Sequence, residues 1–512
     1  MSKYIVAIDV GTTGTKAMVL SEKGKVLGTG YGEYGCIYPQ QDWVEQDGEL
    51  LTQETFKACK TAIDKSNVDP KDIACVAFST QRATFGFVDR DNKLINNRLY
   101  GWQDNRAASV IGDIVERIPA DELYAISGMP VTPTFSLEKI YWVKKNDPEV
   151  YNNAKYIVMM PDYIMYRFGA DDFVTEVTNG CCSGMIDVFK LEWSDRILDA
   201  LDIDKNKLPK LVNPSEKVGE VTPEVSKLTK LPVGTPIITG TGDQQCAALG
   251  AGVIDDGFAS LTLGTAGLLV VGSKTLNLKK SPGLMAPSSG ALGLFELEGI
   301  QLGAASSYRW IRDVLAEVEI AEGKETGVDP YVLMEKHVNT SKPGSNGIVF
   351  LPYLIGAGYP TWNPETKGVF AGLKFSNTKS DLIRAVMEGI TLEAKDMYEA
   401  MKSSDVEIHS LTITGGATKS PAWRQIIADM FDAEIKILEV PDATIIGAGI
   451  LGAVGAGIYK DPAEAVDNMV RVESTLKPIA ENVDRYNEVY KVYRSLYQTL
   501  ISEGIFTQLS KL

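Results

Sequence analysis

Residues 4–20 read YIVAIDVGTTGTKAMVL: an apolar run, a turn of glycine and threonine, and a second apolar run. Val6, Ile8 and Val10 alternate with Ile5 and Ala7, so the first run is apolar on both faces. That pattern predicts a central strand in a sheet covered on both sides. Gly11 and Gly14 are expected to supply positive φ and close backbone approach. Around them Thr12, Thr13 and Thr15 offer hydroxyls and N–H groups to phosphate oxygens. Asp9, one step before the turn, is placed to hold a magnesium ion directly or through water, and Lys16 adds a positive charge. The same letters would also build an ordinary glycine-threonine hairpin, so the rest of the chain has to decide.

Working outward, 512 residues exceed what one hydrophobic core usually covers, and two or more domains are expected. A net charge of −16 argues against nucleic acid and anionic membranes as partners, since both call for basic patches. Met1 runs almost directly into a strand pattern without a basic leader, which points to the cytoplasm. None of the six cysteines are paired at zinc-knuckle spacing, and the adjacent Cys181 and Cys182 read as packing residues. With only His337 and His409 present, a histidine metal site or a Ser-His-Asp triad is nearly excluded. The small-residue run from Ile445 to Tyr459 is too short to cross a bilayer.

After the opening hairpin, Lys25 to Gly35 reads as a third antiparallel strand, Gly48 to Ser66 as an amphipathic helix, and the stretch from Asp72 as another strand. This order suits a mixed sheet with an antiparallel edge. A further hairpin from Thr84 turns at Asp89 to Asn92, and about Arg106 to Lys210 reads as a mostly helical insertion. The pattern then restarts: Pro236 to Gly250 is a buried strand, a glycine turn and a helix, and Ala259 to Gly272 is again strand, turn, strand. IDVGTTGTK and LTLGTAGLL repeat one device about 250 residues apart, which predicts duplicated domains facing across a cleft, with Thr262 standing where Asp9 stands. We place the domains at 1–248 and 249–512, with a helical tail from about residue 461.

Two GxGxxG spacings need discounting. Gly30, Gly32 and Gly35 open no helix, and Gly447, Gly449 and Gly452 lie inside a helical pattern where close packing explains them. No Walker-type phosphate loop is present either. The strongest chemical candidate is Asp243 in TGTGDQQ, at the carboxyl end of a buried strand, where ligands collect in α/β sheets. A carboxylate there can take the proton of a hydroxyl attacking a γ-phosphoryl group, or it can merely cap the next helix. Gln81, Arg82, Trp102 and Asp104 follow strands of the first half and have the chemistry of a small polyhydroxylated ligand site.

Together these residues resemble the FGGY family of carbohydrate kinases, in the actin-like, ribonuclease-H-like ATPase superfamily. The resemblance spans essentially the whole chain: DVGTTGTK and LGTAG resemble the two phosphate motifs, GDQQ the catalytic segment and GGATKSPAWRQ the adenine-side loop. Gly368 to Gly389 and Phe135 to Asn146 are similar to the two family signatures, the latter with a mismatch at Thr134. The resemblance implies an α/β fold of two actin-like domains and ATP-dependent phosphorylation of a sugar hydroxyl, with Mg2+ as the metal. It makes Asp243 the general base and Asp9 the metal-associated carboxylate. Thr12, Thr13, Gly14, Lys16, Gly264 and Thr265 would hold phosphates, Gly416 and Ser420 would lie beside adenosine, and Gln81, Arg82, Trp102, Asp104 and Gln244 would face the sugar.

The substrate motifs are mixed. Gln81-Arg82, Trp102 and GDQQ are similar to those of glycerol kinases, whose glutamate and tyrosine are Ala83 and Thr134 here, while the C-terminal half is similar to xylulokinases and gluconokinases. A ketopentose such as xylulose is therefore the expected substrate. Gluconate, glycerol, erythritol and the autoinducer-2 precursor stay open, as does a nucleotide-driven module with no sugar chemistry. A homodimer also stays open.

Overall fold

The computed structural model describes residues 3–280, 283–287, 292–403 and 405–511. The first six-stranded sheet contains β1 (Tyr4–Val10), β2 (Gly14–Ser21), β3 (Val26–Glu33), β4 (Ile73–Thr80), β5 (Lys217–Glu220) and β6 (Pro236–Gly242), in the spatial order β3-β2-β1-β4-β6-β5. The second contains β7 (Phe258–Leu263), β8 (Gly267–Ser273), β9 (Phe295–Gln301), β10 (Ser410–Gly415), β11 (Ile435–Leu438) and β12 (Val472–Leu476), in the order β9-β8-β7-β10-β11-β12. Both sheets read antiparallel, antiparallel, parallel, parallel, antiparallel across their width. The duplication seen in the two hairpins thus extends to five strands. The sixth strand breaks it, because β5 precedes β6 in the chain while β12 follows β11.

β1 lies between β2 and β4, and its apolar residues from Ile5 to Val10 are fully buried, as a strand covered on both faces requires. Val6, Ile8 and Val10 pack into the core that includes Leu51, Phe56 and Ile63 of α1 (Gly48–Ser66). Asp47 caps α1 by accepting from the Leu50 N–H at 2.8 Å. The helix sits close on β3: a Cβ at Gly30 would lie 2.0 Å from the Ala58 carbonyl oxygen and one at Gly32 2.6 Å from that of Glu54, while Gly35 is a turn glycine with φ +63°.

The halves meet through α2 (Asp243–Gly250), at the end of β6, and α6 (Ala443–Gly455), while α3 (Ala305–Leu315), α4 (Lys379–Ser403), α5 (Pro421–Phe431) and α7 (Ala480–Ser502) pack into the core of the second half. Although α6 belongs to the second half, its Ile446 and Ile450 pack with Ile5 and Ala7 of β1. It crosses α2 at backbone distance, since a Cβ on Gly447 would meet the Cys246 carbonyl oxygen at 1.9 Å. The second glycine spacing therefore comes from packing: Gly447 lets the helices cross, while Gly449 and Gly452 face Leu20 and Ala77 of the first sheet. Gly447→Ala should cost about 1–3 kcal/mol, because a backbone carbonyl cannot swing aside as a side chain could. Denaturant unfolding checks this, and a midpoint equal to wild type would mean that the helices part freely.

The region 106–210 is mostly helical and also carries a strand, Tyr156–Met159, which pairs with Phe85–Val88 in a small sheet that also contains Leu94–Tyr100 and Glu45–Asp47. One sequence expectation changes. The tail beyond 461 is not only helical, because it supplies β12, the edge of the second sheet. Among the described residues no helix is long and apolar enough to cross a membrane.

Candidate active site

Val10 lies opposite Thr15, so the first turn is Gly11 to Gly14, closed by the Gly11 N–H donating to the Gly14 carbonyl at 3.0 Å. Neither glycine adopts a positive φ. Close approach is what requires glycine at position 14, where a Cβ would lie 2.5 Å from the Tyr31 hydroxyl and 2.7 Å from the Gly32 carbonyl. Side chains of the small sheet hold the turn from outside. Trp102 Nε1 donates to the Thr12 hydroxyl at 2.9 Å, and the Gln46 amide donates to the Thr12 carbonyl. Gln81 Nε2 in turn donates to Gln46 Oε1 at 2.8 Å. The Thr13 carbonyl accepts from the Tyr34 and Gly35 N–H groups. One chain of hydrogen bonds therefore joins the phosphate-type turn to Trp102 and Gln81. Trp102 is partly exposed, and among the described residues the buried Oε1 of Gln81 has no partner.

Asp9 pairs in register with Lys16 on β2 and Ser79 on β4, and the Ser79 hydroxyl donates to Asp9 Oδ1 at 2.9 Å. In the second sheet the matching positions are Thr262 and Thr414, whose hydroxyls share a hydrogen bond of 2.7 Å. The two sheets thus differ at this point by one carboxylate. Burial, and then the charge of Asp243, push Asp9 up to about 7, with Lys16 opposing. Lys16 itself pairs with Asp442, just before α6, at 2.9 Å. A hard carboxylate oxygen crowded by a second carboxylate suits magnesium, whose charge would relieve the repulsion. In the ligand-free protein the raised value means that ionising Asp9 costs folding free energy. Stability should therefore fall as pH climbs from the ordinary carboxylate range to about 7. Asp9→Asn should melt higher than wild type at pH 8, with the advantage fading below about pH 5. Thermal unfolding across pH checks the sign.

Asp243 opens α2 at the carboxyl end of β6, with its Oδ1 accepting the Gln244 N–H at 2.8 Å. About a third of its side chain, 32%, remains open to solvent. Burial raises its pKa, Arg82 opposes the rise and Glu298 adds to it. Arg82 Nε stands 3.2 Å from Asp243, while its two terminal nitrogens reach Glu298 at 2.6 and 2.9 Å. Glu298 lies on β9 in the other half, is wholly buried, and also accepts from Gln245 Nε2 at 2.6 Å.

Asp104 is a correction. It is buried, its Oδ2 takes the Val44 N–H at 2.6 Å, and both oxygens are held by Arg106 at 2.8 Å, so it anchors the loop after Trp102 instead of facing a sugar. In the second half, the Gly264 N–H donates to Ala266, and the Thr265 carbonyl accepts from Ala304 at 3.0 Å, which seats this turn on the start of α3. Gly416 opens a short 3-10 turn ending at Lys419. Ser420 caps α5, accepting from the Trp423 N–H at 3.1 Å, and its hydroxyl donates to Glu335 at 2.7 Å. Sequence reasoning missed Gln46, Gln245 and Glu298. The alternation in Phe295-Glu296-Leu297-Glu298 places both glutamates on one strand face, but nothing local says that this face turns inward.

Models of the FGGY family of carbohydrate kinases match the chain twice, the N-terminal domain over residues 4–250 and the C-terminal domain over 259–456. A xylulose kinase of Bacillus subtilis is 27% identical over 495 residues, covering 97% of each chain. A gluconokinase of the same organism is 28% identical over 518 residues, covering 100% of this chain and 98% of the relative. The ligand-bound structure of a xylulose kinase from Lactobacillus acidophilus superposes with a TM-score of 0.88 at 25% identity, over 98% of both chains. The chain therefore belongs to the FGGY family of carbohydrate kinases, with two actin-like ATPase domains, and is an ATP-dependent sugar phosphotransferase.

Proposed function

We propose that the enzyme transfers the γ-phosphoryl group of ATP to a primary hydroxyl of a neutral ketopentose such as xylulose, with Asp243 as general base. The observation that carries this reading is the carboxylate of Asp243: at a strand end, partly open, and backed by Arg82. Asp243 takes the hydroxyl proton as that oxygen bonds to phosphorus, the bridging Pγ–O bond breaks, and its electron pair leaves on ADP. Thr12, Thr13, Gly14, Lys16, Gly264 and Thr265 hold phosphates, Gly416 and Ser420 lie beside adenosine, and Gln81, Trp102 and Gln244 orient the sugar. The chain divides functionally near residue 248 into a sugar-binding and a nucleotide-binding half. Asp9 would hold Mg2+, directly or through water, and the bound ion neutralises charge on the triphosphate. Relatives named xylulose kinase support the ketopentose. Ala83, where glycerol kinases carry a glutamate, sits in an apolar cluster with Met129, Phe135, Cys182 and Met285 and gives a substrate nothing to bond.

An ADP-release screen across ketoses, polyols and aldonates tests this: release should depend on D-xylulose. Release that ignores every added carbohydrate would favour a nucleotide-driven module instead. Because burial raises Asp243, kcat/KM should fall on the acid side at a pH above the ordinary carboxylate range, as the base becomes protonated. A pH profile with no acid limb would contradict that role.

A further inference from the structure

Among the described residues, the basic side chains of Arg106, Lys139, Lys16 and Arg82 each already have a partner. Arg106 is held by Asp104 and Glu45, Lys139 donates to the carbonyls of Gly101 and Thr134, and Lys16 pairs with Asp442. Arg82, the cation nearest the base, meets Asp243 through Nε and gives both terminal nitrogens to Glu298. A guanidinium clamped in this bidentate way cannot offer the same fork to a carboxylate on a substrate. Arg82 with Glu298 and Asp243 carries one positive and two negative charges, whereas around Asp104 and Glu45 the two carboxylates are balanced by Arg106 and Arg98.

We infer that Glu298, reaching from the nucleotide half, is a positioning and specificity residue: it holds Arg82 against Asp243 and denies that guanidinium to anionic sugars, so the site takes neutral ketoses and polyols and rejects aldonates. The inference rests on the kinase reading above and deepens it by naming the substrate class. Rejection here comes from an uncompensated like charge and not from a clash of shape. It also ties the sugar half to the nucleotide half, since the clamp forms only while β9 lies against the residues that follow β4.

The test measures kcat/KM for D-xylulose and D-gluconate in wild type, Glu298→Gln and Glu298→Asp. Wild type should favour D-xylulose by at least about 100-fold. Glu298→Gln should lower D-xylulose turnover by about tenfold or more and raise the gluconate-to-xylulose ratio by at least about tenfold, because Arg82 is released. Glu298→Asp keeps the charge and should bring the ratio back to within about threefold of wild type. A ratio unmoved in a Gln variant that melts like wild type overturns the inference, as does a wild type that prefers D-gluconate. Should the Gln variant fail to fold, calorimetry on wild type decides: xylitol should bind at least about tenfold more tightly than D-gluconate, and binding no tighter overturns the inference. This arm needs no turnover, so it stands apart from failure of the kinase reading, which would show as ADP release independent of any carbohydrate.

Discussion

Asp243→Asn should lower kcat by roughly 10²- to 10⁴-fold while leaving ATP affinity close to wild type. The amide keeps the shape of the side chain and can still accept the Gln244 N–H, which now reaches Asp243 Oδ1 at 2.8 Å. What it loses is basicity, so the hydroxyl must attack with its proton still attached. The phosphate-type turns of the two halves are built from other residues and keep their hydrogen bonds. A split between kcat and KM is therefore the signature: a fall confined to kcat marks a group engaged in the transition state, whereas a rise in KM alone would mark simple binding. An Asn variant with undiminished turnover would remove Asp243 from the role of base.

Arg82→Met should destabilise the protein by about 3–5 kcal/mol and abolish most activity, because it strips from Glu298 and Asp243 the guanidinium that both face. Glu298 is wholly buried and would keep Gln245 as its remaining hydrogen-bond donor, while Asp243 would lose its nearest positive charge. The companion Arg82→Met/Glu298→Gln removes the stranded charge and should recover part of the stability but none of the activity. Urea unfolding of both variants separates the terms as a double-mutant cycle. If the double variant is no more stable than the single one, the Arg82–Glu298 pair does not govern folding.

The opening hairpin, α1, α2 and the strand-turn-helix around Gly416 were legible because each announces itself within some twenty residues through apolar period, glycine placement and caps. β12 was not. Its sequence VESTL is polar and half-exposed, as an edge strand allows, so no burial alternation marks it. Tyr156–Met159 is four residues long and runs straight into a helix, too short for periodicity to separate strand from helix. The false dinucleotide spacings show the opposite case, in which a local pattern is real but its cause, backbone-close helix packing, lies in the tertiary contact.

In the site the same division holds. Asp9, Asp243, Thr12 and Trp102 could be chosen from strand ends and turns, where the chain itself exposes them. Asp104 could not be assigned, because its fate depends on Arg106, Val44 and the small sheet that buries them. Glu298 meets Arg82 across 216 residues of sequence, and no local pattern encodes a partner that far away.

The sequence by itself determined the duplicated hairpins, the strand-end carboxylates and the family, since these rest on short-range apolar period, turn chemistry and ordered motifs. Only the tertiary structure decided which charges pair, because burial and Coulomb attraction act between side chains brought together from separate halves.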